Sequence, residues 1–88
     1  MFRDNTDRGR FEWTEQGQVT FATYRDQGDV RFIPHVEAPP ALRGTGAAGR
    51  LMQALADHAR NEGIKLAPIC GYARAWFARH KDAHDVLG

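Results

Sequence analysis

A chain of 88 residues with net charge +1, one cysteine and 42% hydrophobic residues reads as one small soluble domain, and excludes a disulfide framework, a disordered chain and a bilayer-spanning segment. Residues 1–37 carry five Arg against seven Asp and Glu, and residues 38–88 carry seven Lys and Arg against four. The basic excess of the second half suits a small polyanion and is too slight for a nucleic-acid footprint; the polar start has no secretory pattern, so a cytoplasmic location is the default.

Met1 to Gly9 has no periodicity and reads as a flexible leader, leaving residues 10–88 as a single domain. Arg10 to Thr14 reads as a short strand and Gln16-Gly17 as a turn. Val19 to Arg25 alternates in the manner of a β-strand, with Val19, Phe21 and Thr23 against Thr20, Ala22 and Tyr24. After a turn at Asp26-Gln27-Gly28-Asp29, Val30 to Val36 forms a third strand. Its alternation sets Val30, Phe32, Pro34 and Val36 on one face and Arg31, Ile33, His35 and Glu37 on the other. Pro34 removes a ladder donor, so an interruption is expected there.

The period then changes. Ala48, Leu51, Met52, Leu55 and Ala59 recur at helical spacing, with Arg50, Gln53, Asp57 and Arg60 facing out. Gly63 stands where a left-handed C-cap belongs. Ile64 to Cys70 is a short apolar strand interrupted by Pro68. Gly71 to His80 forms a second helix, with Tyr72, Trp76 and Phe77 available for packing, and the last residues carry no signal. The order is β-β-β-α-β-α, an α/β (α+β) fold in which an antiparallel meander precedes an α-β-α unit.

The segment Pro39-Pro40-Ala41-Leu42-Arg43-Gly44-Thr45-Gly46-Ala47-Ala48-Gly49-Arg50 is the most informative. A glycine-rich bend that opens a helix leaves unpaired N–H groups in front of the positive end of the helix dipole, which makes an anion site. The string Gly44 to Gly49 matches the dinucleotide fingerprint G-x-G-x-x-G. The following strand, however, ends in Cys70-Gly71 instead of a ribose-binding acid, and too little chain remains for a doubly wound sheet. A P-loop needs Gly-Lys-Ser/Thr, which is absent. The remaining alternatives are a cradle for another diphosphate and a bend with no ligand.

Arg43-Gly44-Thr45-Gly46-Ala47-Ala48 resembles the pyrophosphate loop of the GNAT superfamily of N-acetyltransferases, Arg/Gln-x-x-Gly-x-Gly/Ala. The longer string from His35 to Gly46, with Leu66-Ala67-Pro68-Ile69-Cys70-Gly71-Tyr72 and Arg79-His80, resembles the small single-domain GNAT-like family of predicted N-acetyltransferases. The likeness runs from about Arg10 to the C-terminus. It implies that the strand before the loop splays from the strand after the helix and that acetyl-CoA lies in the gap. The pantetheine would pair with the backbone of Val36, Glu37 and Ala38. The diphosphate would sit on the amides of Arg43, Gly44, Thr45, Gly46, Ala47 and Ala48. No metal, nucleic acid or membrane is implied. Val36, Ala38, Gly71 and Lys81 depart from the family's commoner Thr, Val, Pro or Ser, and Pro.

Acetyl transfer to an amine needs a neutral amine, a held thioester, an oxyanion donor and a proton for the leaving thiolate. His35 and Glu37 lie two apart on one strand and share a face. Either can take a proton; an exposed polar strand face is the plainer alternative. Cys70 can protonate the CoA thiolate or accept the acetyl group, or it can be a small buried hydrophobe. Tyr72 is the other acid candidate, or an aromatic that packs at a helix start. The expectation is an acetyl-CoA-dependent N-acetyltransferase working by direct transfer to an amine, which can be that of a protein or peptide. The alternative is a non-catalytic CoA-binding or protein-interaction module.

Overall fold

The computed structural model describes all 88 residues. In chain order the elements are β1 (Phe2–Asn5), β2 (Arg10–Glu15), β3 (Gln18–Gln27), β4 (Val30–Glu37), α1 (Ala47–Glu62), β5 (Lys65–Pro68) and α2 (Gly71–Arg79). Single 3-10 turns occupy Thr6–Arg8 and Pro40–Leu42, and a longer 3-10 segment occupies Lys81–Val86. The five strands form one sheet in sequential order, antiparallel through β4, with β5 parallel to β4. The expected β-β-β-α-β-α order is present and is preceded by one further strand. No helix is long and apolar enough to cross a membrane.

That further strand corrects the expectation of a flexible leader over residues 1–9. β1 pairs with β2 from Phe2↔Trp13 to Asn5↔Arg10. Phe2 stacks 5.7 Å from Phe11 and 5.1 Å from His58. The polar residues are also tied down, Tyr24 donating to Asp4 at 2.6 Å and Asn5 donating to Glu12 at 3.0 Å. The alternation is hidden because polar side chains carry much of the pairing.

β4 corrects a second expectation. Thr23 faces His35 and Arg25 faces Phe32, so Ile33 and Pro34 together oppose the single residue Tyr24. This β-bulge sits at the proline, which has no N–H to give the ladder, and it shifts the alternation by one residue. His35 and Glu37 therefore share the face of Thr23 and Phe21, whereas Ile33 is buried in the core. Val36 lies opposite Ala22 on the core side. Without the bulge, His35 and Glu37 would stay in phase with Ile33 and point inward.

The core lies between the sheet and the two helices. Phe11, Ala22, Ile33 and Leu66 from the sheet meet Leu51, Met52, Leu55, Ala56 and Ala59 of α1 and Ala73, Trp76 and Phe77 of α2. Burying each large apolar side chain contributes roughly 1.5–3 kcal/mol, enough to fix α1 across β2 and β3. α1 ends at the left-handed Gly63 as its spacing predicts. β5 is shorter than expected, and Tyr72 remains 40% exposed instead of packing inward. The C-terminal residues, which carry no sequence signal, bury Ala83 and Val86 and bridge Leu87 to Leu66, with the Gly88 N–H on the Leu66 carbonyl at 2.9 Å.

Candidate active site

The β4–β5 ladder ends at Ile33↔Pro68. There the Ile33 carbonyl accepts from the N–H groups of both Ile69 (3.0 Å) and Cys70 (3.3 Å), which pins the point where the strands part. Beyond it, residues 34–37 of β4 have β3 on one side and no strand on the other. The bulge at Pro34 and the short β5 together open a wedge in the sheet, lined by unpaired backbone.

At the far end of the wedge the chain turns through Pro39 and the 3-10 turn into α1. Leu42 is buried and anchors the bend, and the Thr45 hydroxyl donates to the Leu42 carbonyl at 2.6 Å. Gly44 (φ 78°) and Gly46 (φ 88°) take left-handed conformations that a side chain resists. Gly46 caps α1 without a side chain, and no acidic residue occupies the first turn. The positive helix end thus has no internal anion to satisfy it.

Of the six loop amides named from the sequence, two are already used. Arg43 donates to the Pro40 carbonyl at 3.3 Å and Thr45 to the Leu42 carbonyl at 3.2 Å. The N–H groups of Gly44, Gly46, Ala47 and Ala48 make no protein hydrogen bond, and neither does that of Gly49, which the sequence reading did not include. A concavity of about 300 Å³ is lined by Ala38, Leu42, Arg43, Gly44, Gly46, Ala47, Ala48, Gly49 and Tyr72. The Arg43 side chain donates through Nε to the Ala38 carbonyl at 3.2 Å, so that carbonyl is less available to a ligand than the backbone at Val36 and Glu37.

The four side chains singled out for chemistry fall into two groups. His35 Nε2 and Glu37 Oε1 lie 3.0 Å apart, with side chains 55% and 51% exposed. The bulge sets them on the sheet face opposite α1, with Phe21 and Thr23, and none of the four concavities in the molecule is lined by them. Tyr72 stands in the first turn of α2 and lines the loop concavity, its hydroxyl close to Gly49. Partial burial pushes the Tyr72 phenol above its ordinary pKa, against a smaller opposing effect of Arg79. Cys70 is the N-cap of α2, its Sγ accepting the Ala73 N–H at 3.4 Å, and it does not line the concavity.

Two residues at the loop escape a linear reading. Arg50 faces out as its helical position predicts, but its guanidinium is gripped by Glu15, the last residue of β2, through Nε–Oε1 at 2.7 Å and Nη2–Oε2 at 3.1 Å. The partners are 35 positions apart, and nothing local in the sequence links them.

The comparisons with known proteins agree with this architecture. A sequence profile described as GCN5-related N-acetyl-transferase matches residues 10–86. The fold superimposes on the solution structure of a GCN5-like protein from Staphylococcus aureus with a TM-score of 0.69 at 20% identity, covering 100% of this chain and 87% of that one. It also matches a predicted acetyltransferase from Clostridium acetobutylicum, crystallised with acetyl-CoA, with a TM-score of 0.55 at 17% identity, over 85% of this chain and 58% of that one. No curated protein matches the sequence.

Proposed function

The chain belongs to the GCN5-related N-acetyltransferase family, and from that premise we propose that it transfers the acetyl group of acetyl-CoA directly to a protein or peptide amine. The observation that carries this reading is the set of free amides at Gly44, Gly46, Ala47, Ala48 and Gly49, all on residues that line one concavity beside an unpaired strand edge. A diphosphate fits such amides at an uncapped helix start. A pantetheine arm, with its own amide groups, fits the backbone of residues 34–37. The acetyl-CoA held by the Clostridium acetobutylicum relative supports the choice of anion.

When bound, acetyl-CoA supplies an activated thioester. The chain's own groups do the rest. The loop amides hold the diphosphate and the β4 edge orients the arm along the wedge. His35 and Glu37, hydrogen-bonded on the opposite sheet face, take the proton of an incoming ammonium and leave a neutral amine to attack. Tyr72, a phenol and so protonated at neutral pH, gives a proton to the departing sulfur. Tyr72 suits that role better than Cys70, which caps α2 and does not line the concavity. The acceptor reading rests on shape. The face bearing His35 and Glu37 has no walled cavity to enclose a small amine, so the acceptor brings its own surface.

Incubation with acetyl-CoA and a panel of peptides and small amines, read by mass spectrometry, tests this. Peptides gaining an acetyl group in preference to the small amines is the expected result. Tight CoA binding without transfer to any acceptor would reduce the domain to a coenzyme-binding module.

A further inference from the structure

Arg50 makes three hydrogen bonds with one guanidinium. Two go to the Glu15 carboxylate, and the third runs from Nη1 to the Thr45 carbonyl at 3.1 Å. Glu15 is itself held, accepting from Trp13 Nε1 at 2.5 Å. The array ties the end of β2 to the loop at the start of α1. Arg50 does not line the loop concavity. It borders a separate shallow surface with Trp13, Gln53, Ala54 and Asp57.

The consequence follows from the planarity of one peptide. No peptide bond is cis, so the Thr45 carbonyl and the Gly46 N–H point in opposite directions across their shared plane. Arg50 draws the carbonyl to its own side. The Gly46 N–H, which has no protein partner, is thereby turned away from Arg50, and Gly46 lines the anion concavity. Thr45 is held to the Leu42 carbonyl by its N–H and its hydroxyl, but Gly46 on the other side of this peptide is a left-handed glycine with a wide choice of φ, so the plane itself is fixed by the hydrogen bond from Arg50.

We propose that Glu15 and Arg50 are positioning residues for coenzyme binding, Arg50 fixing the Thr45–Gly46 peptide so that its N–H meets the diphosphate, and Glu15 fixing Arg50. The inference rests on the coenzyme reading above. It separates cleanly from a direct role of Arg50 as a phosphate ligand. In a direct role Glu15 is a competitor for the guanidinium, and removing its charge tightens CoA binding. In a positioning role Glu15 is a support, and removing it weakens binding.

The test is calorimetric titration of the full chain with CoA, in wild type, Glu15→Gln and Arg50→Ala, at two ionic strengths. Both variants are expected to bind about three- to tenfold more weakly, the scale of one misaimed charge-assisted hydrogen bond. Glu15→Gln removes a negative charge and Arg50→Ala a positive one, so a pure field effect would move affinity in opposite directions and fade with salt, whereas a loss shared by both variants at both ionic strengths is the mark of positioning. Melting temperatures should change little, because the pair is partly exposed. In amide NMR spectra the Gly46 resonance is expected to move in both variants before any ligand is added. Arg50→Lys should not restore affinity, as an ammonium lacks the planar two-sided grip. Tighter binding by Glu15→Gln, or wild-type affinity in both variants, overturns the proposal while leaving the coenzyme reading standing. Failure of wild type to bind CoA overturns both. Glu15→Gln is isosteric and carries the test alone if Arg50→Ala does not fold.

Discussion

Gly46 meets two demands that no other residue satisfies. Its φ of 88° lies in the left-handed region, and a Cβ there would come within 3.0 Å of Arg50 Nη1. Gly46→Ala is expected to cost roughly 1–2 kcal/mol of stability for the backbone alone, read by urea denaturation, and to weaken CoA binding by displacing Arg50. Cys70 is argued differently. Its Sγ caps α2, so Cys70→Ser is expected to keep both the helix and acetyl transfer, while Cys70→Ala should lose about 0.5–2 kcal/mol. A folded Cys70→Ser protein without activity would return the thiol to the chemistry. Tyr72→Phe should lower kcat with the fold intact. A phenol is protonated throughout the neutral range, and because burial raises the Tyr72 pKa further, the alkaline fall in rate should lie above the ordinary phenol value of about 10. The loop was legible at this scale because a dense run of small residues before a helical period has few structural readings. The internal hydrogen bonds of the Arg43 and Thr45 amides are not legible, because the 3-10 turn and bend that engage them leave no mark in composition.

Two elements depart from what their sequence suggests. The β4 bulge turns His35 and Glu37 outward, and Pro34 announced an interruption without revealing that the alternation would change phase. A bulge adds one residue to one strand, and only the partner's register shows it. β1 was missed altogether, since its anchoring rests on polar pairs. Chief among them are Asn5 and Glu12, only 8% and 7% exposed, with Arg10 adding a 2.7 Å contact to the same carboxylate. Burial pushes the Glu12 carboxyl up, but the hydrogen bonds from Asn5 and Arg10 outweigh it and hold the group below the ordinary value. A pKa lower in the folded state makes ionised Glu12 stabilising above the unfolded value of about 4.3, and that contribution is lost as pH falls through the folded value. Asn5→Ala is therefore expected to destabilise the domain by about 1–3 kcal/mol at pH 7, by leaving a buried carboxylate oxygen short of a donor. Urea titrations at neutral and acid pH should show this loss shrinking as Glu12 protonates; a loss unchanged by acid would contradict the assignment.

At the scale of the molecule, the two groups of candidate residues lie on opposite faces of the sheet. The concavity lined by the glycine-rich loop opens at the start of α1, and the His35–Glu37 pair lies on the face away from that helix, with the wedge between β4 and β5 joining the two. In the proposed function, donor and acceptor meet through the sheet of this 34 × 30 × 21 Å body and not inside a pocket. The ends of the chain close this body. β1 extends the sheet on one edge, and the bridge from Leu87 to Leu66 covers β5 on the other, with Arg60 holding Asp85 at 2.7 Å and 2.9 Å. The class of fold was readable from periods of two and 3.6 residues, whereas the closing contacts were not, because each joins residues far apart in sequence. The central claim, that the loop at the start of α1 receives the diphosphate of CoA, is tested most directly by titrating the isotope-labelled protein with CoA and following every amide resonance. The amides of Gly44, Gly46, Ala47, Ala48 and Gly49 are expected to shift first and furthest. Shifts centred instead on the opposite end of the sheet, around Asp26 to Arg31 and Gly63 to Lys65, or no shift at millimolar CoA, would contradict it.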